Sequence, residues 1–161
     1  MASAQKNLST HTSKNLITLT DKTIAVVVSE WNEAITEALF AGARTCLLEH
    51  GLPPERLLRR DVPGSFELPL ACQWMAQRPG VDAVIALGCI IEGETRHFDF
   101  IAQAVATGLT EVGLRTNKPV VFGVLTPATQ EQAQERAGGR HGNKGEEAAI
   151  TAIKMLGFEG R

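Results

Sequence analysis

The stretch Ala83-Val84-Ile85-Ala86-Leu87-Gly88-Cys89-Ile90-Ile91-Glu92-Gly93-Glu94-Thr95-Arg96-His97-Phe98 decides how this chain folds. Ala83 to Leu87 is an unbroken apolar run of strand length, as expected of a strand covered on both faces. Gly88 and Gly93 read as bracketing a turn. Thr95 and His97 then open a helix, because Phe98, Ile101, Ala102, Val105 and Leu109 recur at helical spacing. A hydroxyl, backbone N–H groups and an imidazole are thereby expected at the start of a helix, just past the carboxyl end of a strand. Open α/β sheets bind ligands there, and the N–H groups favour an anion such as phosphate.

The same alternation extends to both sides. Thr23 to Ser29 is a continuous β-branched strand, followed by a helix on Ile35, Ala38, Leu39, Gly42, Ala43, Cys46 and Leu47 that Gly51, Pro53 and Pro54 end. Arg56 to Val62 is a more polar strand, nearer an edge. Pro63-Gly64 breaks it, and Ser65 starts a helix to about Arg78 with Pro69 near its first turn. Pro119 to Leu125 is a fourth strand. A helix is expected from Thr129 to Ala137, an interruption at Gly138-Gly139, and a last helix carrying Ala149, Ile150, Ala152, Ile153 and Leu156. Strands alternating with helices predict a parallel sheet with helices on both faces and right-handed crossovers.

The chain has 161 residues, enough for one domain, read as residues 21–161 behind an arm of residues 1–20. That arm is polar, lacks the apolar core of a secretory signal, and is expected to end in an edge strand around Leu16 to Leu19. A net charge of −2 leaves no basic surplus for non-specific nucleic-acid or membrane binding. Cys46, Cys72 and Cys89 lack metal-ligand spacing and sit in apolar contexts. They read as buried thiols of a reducing, cytoplasmic setting.

The chemically distinctive residues gather after the strands: Trp31 and Asn32, then Ser65, Phe66 and Glu67, then Cys89, Ile90 and Ile91 with Glu94, Thr95 and His97, and Phe122 on the fourth strand. In a parallel sheet they line one rim. Trp31 is either a hydrophobic staple or a stacking platform for a flat heterocycle. Asn32 is most simply the N-cap of the helix starting at Glu33, and beside Trp31 it is also a candidate substrate-binding residue. Glu67 either favours a helix dipole or accepts hydrogen bonds from a polyol. His97 is either structural or a neutral base at a helix start, where an imidazolium is disfavoured. Arg136 is a helix C-terminal partner or a phosphate clamp. Lys144 opens the last helix, where a cation is unfavourable, which points towards a ligand; the glycine spacing before it is not that of a Walker loop.

Trp31-Asn32, Val62-Pro63-Gly64-Ser65-Phe66-Glu67, Gly88-Cys89-Ile90-Ile91, Gly93-Glu94-Thr95-Arg96-His97-Phe98-Asp99, Val121-Phe122-Gly123, Glu135-Arg136-Ala137-Gly138 and Gly142-Asn143-Lys144-Gly145 together resemble the 6,7-dimethyl-8-ribityllumazine synthase family, from about Thr23 to Leu156. The resemblance implies a flavodoxin-like sandwich with a four-stranded parallel sheet. It implies a transferase without metal or organic cofactor that joins 5-amino-6-ribitylaminouracil to 3,4-dihydroxy-2-butanone 4-phosphate, releasing phosphate and water. By that resemblance Trp31 stacks on the pyrimidine in place of the family's frequent Phe, and Ser65, Phe66 and Glu67 hold the pyrimidine and its ribityl chain. Cys89, Ile90 and Ile91 contact the uracil edge through backbone, and Glu94 and Thr95 bind phosphate, Glu94 through backbone alone. His97 transfers protons. Phe122 and Arg136 come from a neighbouring subunit, and Lys144 lies near the same pocket. Pentamers or a hollow shell of sixty subunits are implied, with riboflavin synthase as the shell's implied partner. The uninserted segment Ala137 to Asn143 favours the shell. The nearest alternatives are the related riboflavin synthase, which dismutates lumazine, and a non-catalytic flavin- or lumazine-binding shell.

Overall fold

The computed structural model describes residues 16–158; residues 1–15 of the arm expected over residues 1–20 lie outside them. The four expected strands form: β1 (Ile24–Ser29), β2 (Leu57–Val62), β3 (Ala83–Cys89) and β4 (Val120–Leu125). They make one sheet in the order β2-β1-β3-β4, with every adjacent pair parallel. β1 and β3 occupy the middle, and all their residues are buried, which is why both read as uninterrupted apolar runs. β2 is an edge strand and carries Arg59, Arg60 and Asp61.

Helices cover both faces. α1 (Glu33–Glu49) and α5 (Lys144–Phe158) pack on one, α2 (Leu68–Gln77) and α3 (His97–Thr116) on the other. Side chains alternate along β1 to serve both: Ile24, Val26 and Val28 meet Leu39 and Ile153, while Ala25 and Val27 meet Leu68, Cys72, Val105 and Leu109. Gly51, at φ 86°, ends the α1 segment in the left-handed region that glycine adopts without strain. Ser65–Glu67 forms a single 3₁₀ turn that runs straight into α2, with Pro69 in the first turn of α2.

Three expectations change. Leu16 to Leu19 form no strand; the Leu19 N–H donates to the His50 carbonyl at 3.0 Å beyond the end of α1, and its side chain is buried in the core. Gly88 does not bracket a turn but lies inside β3. The helix expected from Thr129 to Ala137 is only α4 (Gln130–Gln134), after which β5 (Ala137–Gly139) and β6 (Gly142–Asn143) form a small antiparallel hairpin. Gly138 at φ 116° and Gly142 at φ 73° let the chain turn back, and a Cβ on Gly139 would lie 2.7 Å from the Glu135 Cα. Helix continuation thus loses to a tight return onto α4.

Candidate active site

Parallel register brings the carboxyl ends of the strands level. Ser29 pairs with Val62, Val28 with Leu87, and Cys89 with Leu125. The segments that follow therefore rise from one rim. Two of the expected site segments flank the start of α1 and the start of α2. Trp31, between β1 and α1, is 73 % exposed, and Phe66, between β2 and α2, is 57 % exposed. Large apolar rings left in solvent beside a sheet edge are available to a ligand or to another subunit.

Gly88 draws these segments together. A Cβ there would stand 2.7 Å from Ser65 Oγ, 3.0 Å from Leu68 Cδ1 and 3.3 Å from Ser29 Oγ. Only a glycine lets the Ser65 turn settle against β3. Ser65 itself faces inward: it is buried, and its hydroxyl donates to Ser29 Oγ over a long 3.5 Å. What the Ser65 segment offers outward is the exposed side chains of Phe66 and Glu67. Glu67 is exposed, with Oε2 folded back towards Gly64, where a Cβ would lie 3.1 Å from that oxygen. A glycine at 64 thus leaves the carboxylate room over the Pro63-Gly64 turn.

Asn32 corrects the expectation of a helix cap. It occupies the N-cap position of α1 in the left-handed conformation, φ 62° and ψ 44°, and its side chain makes no cap hydrogen bond. Its Nδ2 instead donates to the Cys89 carbonyl at 2.9 Å, across to the end of β3. The Cys89 side chain is buried, and burial pushes its thiol up to about 11. Burial likewise raises Cys46 to about 12, and raises Cys72. None of the three is a thiolate nucleophile near neutrality. Beyond β3 the chain continues along β4: the Ile90 N–H donates to the Leu125 carbonyl at 2.8 Å and the Glu92 N–H to the Pro127 carbonyl at 3.0 Å. Ile90 and Ile91 are half-buried, one against each core face.

Glu94, Thr95 and His97 are exposed at the start of α3. Thr95 Oγ1 accepts a weak 3.4 Å bond from the His97 N–H, the first of that helix. The Asp99 and Phe100 N–H groups donate to the Arg96 carbonyl at 3.1 and 3.4 Å, so most of the first-turn donors expected for an anion already have acceptors within the chain.

One expected site residue is not on this rim. Phe122 lies inside β4, opposite Ala86 and three residues short of Leu125, so it sits about 10 Å below the rim. It is 43 % exposed because β4 is an edge strand. Arg136 lies in the turn two residues beyond α4, and its Nη1 donates to the Gln132 carbonyl at 3.1 Å. Lys144 Nζ pairs with Glu147 Oε1 at 2.7 Å, which offsets a cation at the start of α5 without any ligand. Sequence reading missed Asn143, whose Oδ1 caps α5 by accepting from the Gly145 and Glu146 N–H groups at 2.8 and 3.3 Å. An asparagine three residues before a glutamate was the available signal.

A cleft of about 340 Å³ lies on the same rim beside the carboxyl ends of β1 and β2, lined in part by Glu30, Glu33, Glu37, Arg59 and Asp61. Arg59 bonds both Glu37 and Asp61 and lies 4.4 Å from the Phe40 ring centre. The hydrogen bond from Arg59 holds the Glu37 carboxyl below its ordinary value. With carboxylates in excess, this cleft does not suit a phosphate ester. Among the described residues no group of three or more His, Cys, Asp and Glu side chains is placed to hold a metal ion. No helix among them is long and apolar enough to cross a membrane.

The chain is thus a flavodoxin-like α/β protein whose candidate site lies on the carboxyl edge of a four-stranded parallel sheet. Comparison with known proteins places it more narrowly. A model of the 6,7-dimethyl-8-ribityllumazine synthase family matches residues 21–159. The chain is 60 % identical over 156 residues to the 6,7-dimethyl-8-ribityllumazine synthase of Cytophaga hutchinsonii, covering 97 % of this chain and 98 % of that one. It is 49 % identical to that of Porphyromonas gingivalis, covering 99 % of each. With that of Thermus thermophilus it shares 53 % over 133 residues, covering 83 % and 85 %. The chain belongs to the 6,7-dimethyl-8-ribityllumazine synthase family.

Proposed function

We propose that this chain joins 5-amino-6-ribitylaminouracil to 3,4-dihydroxy-2-butanone 4-phosphate and releases 6,7-dimethyl-8-ribityllumazine, phosphate and water, the condensation step of riboflavin biosynthesis. The family match over residues 21–159 carries this reading. The substrate's own amine attacks the ketone and gives an imine, phosphate is lost, and the second nitrogen closes the ring. Each step moves protons and none changes the overall redox state. Positioning plus one acid–base group suffices in principle.

In this reading Trp31 stacks on the pyrimidine. The backbone around Ser65 and Phe66, the Glu67 carboxylate and the backbone from Cys89 to Ile91 hold the uracil edge and the ribityl chain. Glu94, through backbone, and Thr95 bind the phosphate at the α3 start, and His97 moves the protons. Phe122 and Arg136 complete the site of a neighbouring subunit, with Lys144 near the same pocket. The position of Phe122, about 10 Å below the rim of its own chain, supports this division. A guanidinium carries five N–H donors, and the bond to Gln132 engages one nitrogen. Replacing Arg136 with alanine is therefore expected to raise KM for the butanone phosphate about 10-fold, the scale of one charge-assisted contact. The KM for the pyrimidine stays within twofold, and equal losses for both substrates contradict the role.

Leu70, Trp74, Phe100 and Leu114 are all more than half exposed in the single chain, on α2 and α3. Such a face supports assembly through these helices, which we extend to pentamers and, with no insertion between α4 and α5, to an icosahedral shell that can enclose riboflavin synthase. We read residues 1–20 as an arm of the 21–161 domain and place the enzyme in the cytoplasm. Light scattering on the purified protein separates pentamer from shell by mass. Mixing the protein with both substrates tests the activity: lumazine absorbance must appear. Lumazine supplied alone must yield no riboflavin, and its conversion assigns the chain to dismutation instead.

A further inference from the structure

We propose that Asn32 is the positioning residue that aims the Trp31 indole over the pyrimidine, acting through its bond to the end of β3 rather than by touching substrate. The inference rests on Trp31 being the stacking ring. β1 ends at Ser29 and its ladder to β3 stops at the Val28–Leu87 pair, yet β3 runs on to Cys89. The Ile90 N–H points to β4, where it meets the Leu125 carbonyl at 2.8 Å. In a trans peptide the preceding carbonyl points the other way, so the Cys89 oxygen faces β1, which no longer supplies a ladder donor. Asn32 Nδ2 takes that place at 2.9 Å. It does so from the left-handed region, and it leaves α1 without a side-chain cap. An asparagine next to a helix start ordinarily caps that helix. Here the local preference yields to a link between segments 57 residues apart, the kind of local-rule violation expected at functional sites.

The link brackets Trp31. On one side the Glu30 N–H donates to the Val62 carbonyl at 2.8 Å. On the other, Asn32 is tied to Cys89, and its own carbonyl accepts the Ile35 and Thr36 N–H groups at 2.9 and 3.1 Å. The indole between them is 73 % exposed, so backbone anchors rather than packing fix its direction within the chain. The anchor on the β3 side also fixes the indole's height relative to Ile90 and Ile91, the segment proposed to read the uracil edge.

Kinetics of four variants of the assembled enzyme test this: Trp31→Ala, Asn32→Gly, Asn32→Asp, and Trp31→Ala with Asn32→Gly. Glycine accepts the left-handed backbone and removes only the bond. Aspartate keeps shape and backbone tolerance but sets two acceptors face to face. Either change at Asn32 is expected to raise KM for the pyrimidine roughly 5- to 10-fold, with KM for the butanone phosphate changed less than twofold. In the Trp31→Ala background Asn32→Gly should add nothing, because its effect passes through the missing ring. Multiplicative losses in the double variant overturn the inference in favour of direct substrate contact. Equal rises in both KM values, or a lowered melting temperature with unchanged kinetics, overturn it in favour of a structural role alone. If Trp31→Ala leaves the pyrimidine KM unchanged, the stacking reading itself falls and this inference with it. If Trp31→Ala raises that KM while Asn32→Gly does not, only the inference falls.

Discussion

Replacing His97 with alanine is expected to lower kcat about 100-fold, the middle of the range for losing a positioned acid–base group. His97 is the first residue of α3 and is exposed, so its removal leaves no cavity and no buried partner unsatisfied. The melting temperature should therefore move by no more than about 2 °C, the consequence of an exposed substitution near ±0.5 kcal/mol in a chain of this size. Light scattering should report an unchanged assembly. Its position explains the size of the effect. The imidazole stands beside the turn proposed for phosphate and follows the strand whose end is proposed to meet the pyrimidine. In the role proposed for it, it serves imine formation, phosphate loss and ring closure in turn. A kcat within twofold of the parent protein, with both substrates saturating, removes His97 from the chemistry. A fall in kcat accompanied by loss of assembly shows instead that the residue is structural.

The sheet was legible because its signal is local. β1 and β3 are buried on both faces, and continuous apolar runs are all that such strands require. The polar edge strand β2 was legible for the same reason in reverse. The rim was legible in outline, because parallel strands must end on one side. Misreadings occurred where a distant residue decides the outcome. Asn32 looks like a cap until the Cys89 carbonyl is seen to need a donor. Gly88 looks like a turn until Ser65 and Ser29 are seen to occupy the space of its missing side chain. The β5–β6 hairpin depends on Glu135, whose carboxylate accepts from the Arg140 N–H at 3.1 Å and whose carbonyl accepts from the His141 N–H at 2.9 Å. Phe122 and Arg136 carry no local sign of which subunit's site they complete. Only the family resemblance gave both to a neighbouring subunit, and the fold adds that Phe122 sits below the rim of its own chain.

Changing Gly145 to alanine is expected to destabilise the protein by about 4 kcal/mol, above the usual overpacking range, because the obstacle is backbone. A Cβ on Gly145 would land on the Leu39 carbonyl oxygen and lie 2.6 Å from the carbonyl carbon. α1 and α5 pack in contact here, so one helix must move away from the other. The movement would also break a clamp. Asn143 Nδ2 donates to the Ala38 carbonyl at 2.8 Å while its Oδ1 caps α5, and its side chain fills the notch left by Gly42. Arg136 is tied to the same junction, since its carbonyl accepts the Lys144 N–H at 2.9 Å. The melting temperature at one fixed protein concentration should fall by roughly 10 °C or more. Where enough variant folds to assay, KM for the butanone phosphate should rise, because Arg136 shifts with the hairpin. Gly93→Ala is the matched control: a Cβ there meets nothing within 4 Å, and stability should change by less than about 0.5 kcal/mol. Equal melting temperatures for the two variants would mean that α1 and α5 do not approach as closely as described. The coupling between that packing and the phosphate subsite would then have no basis.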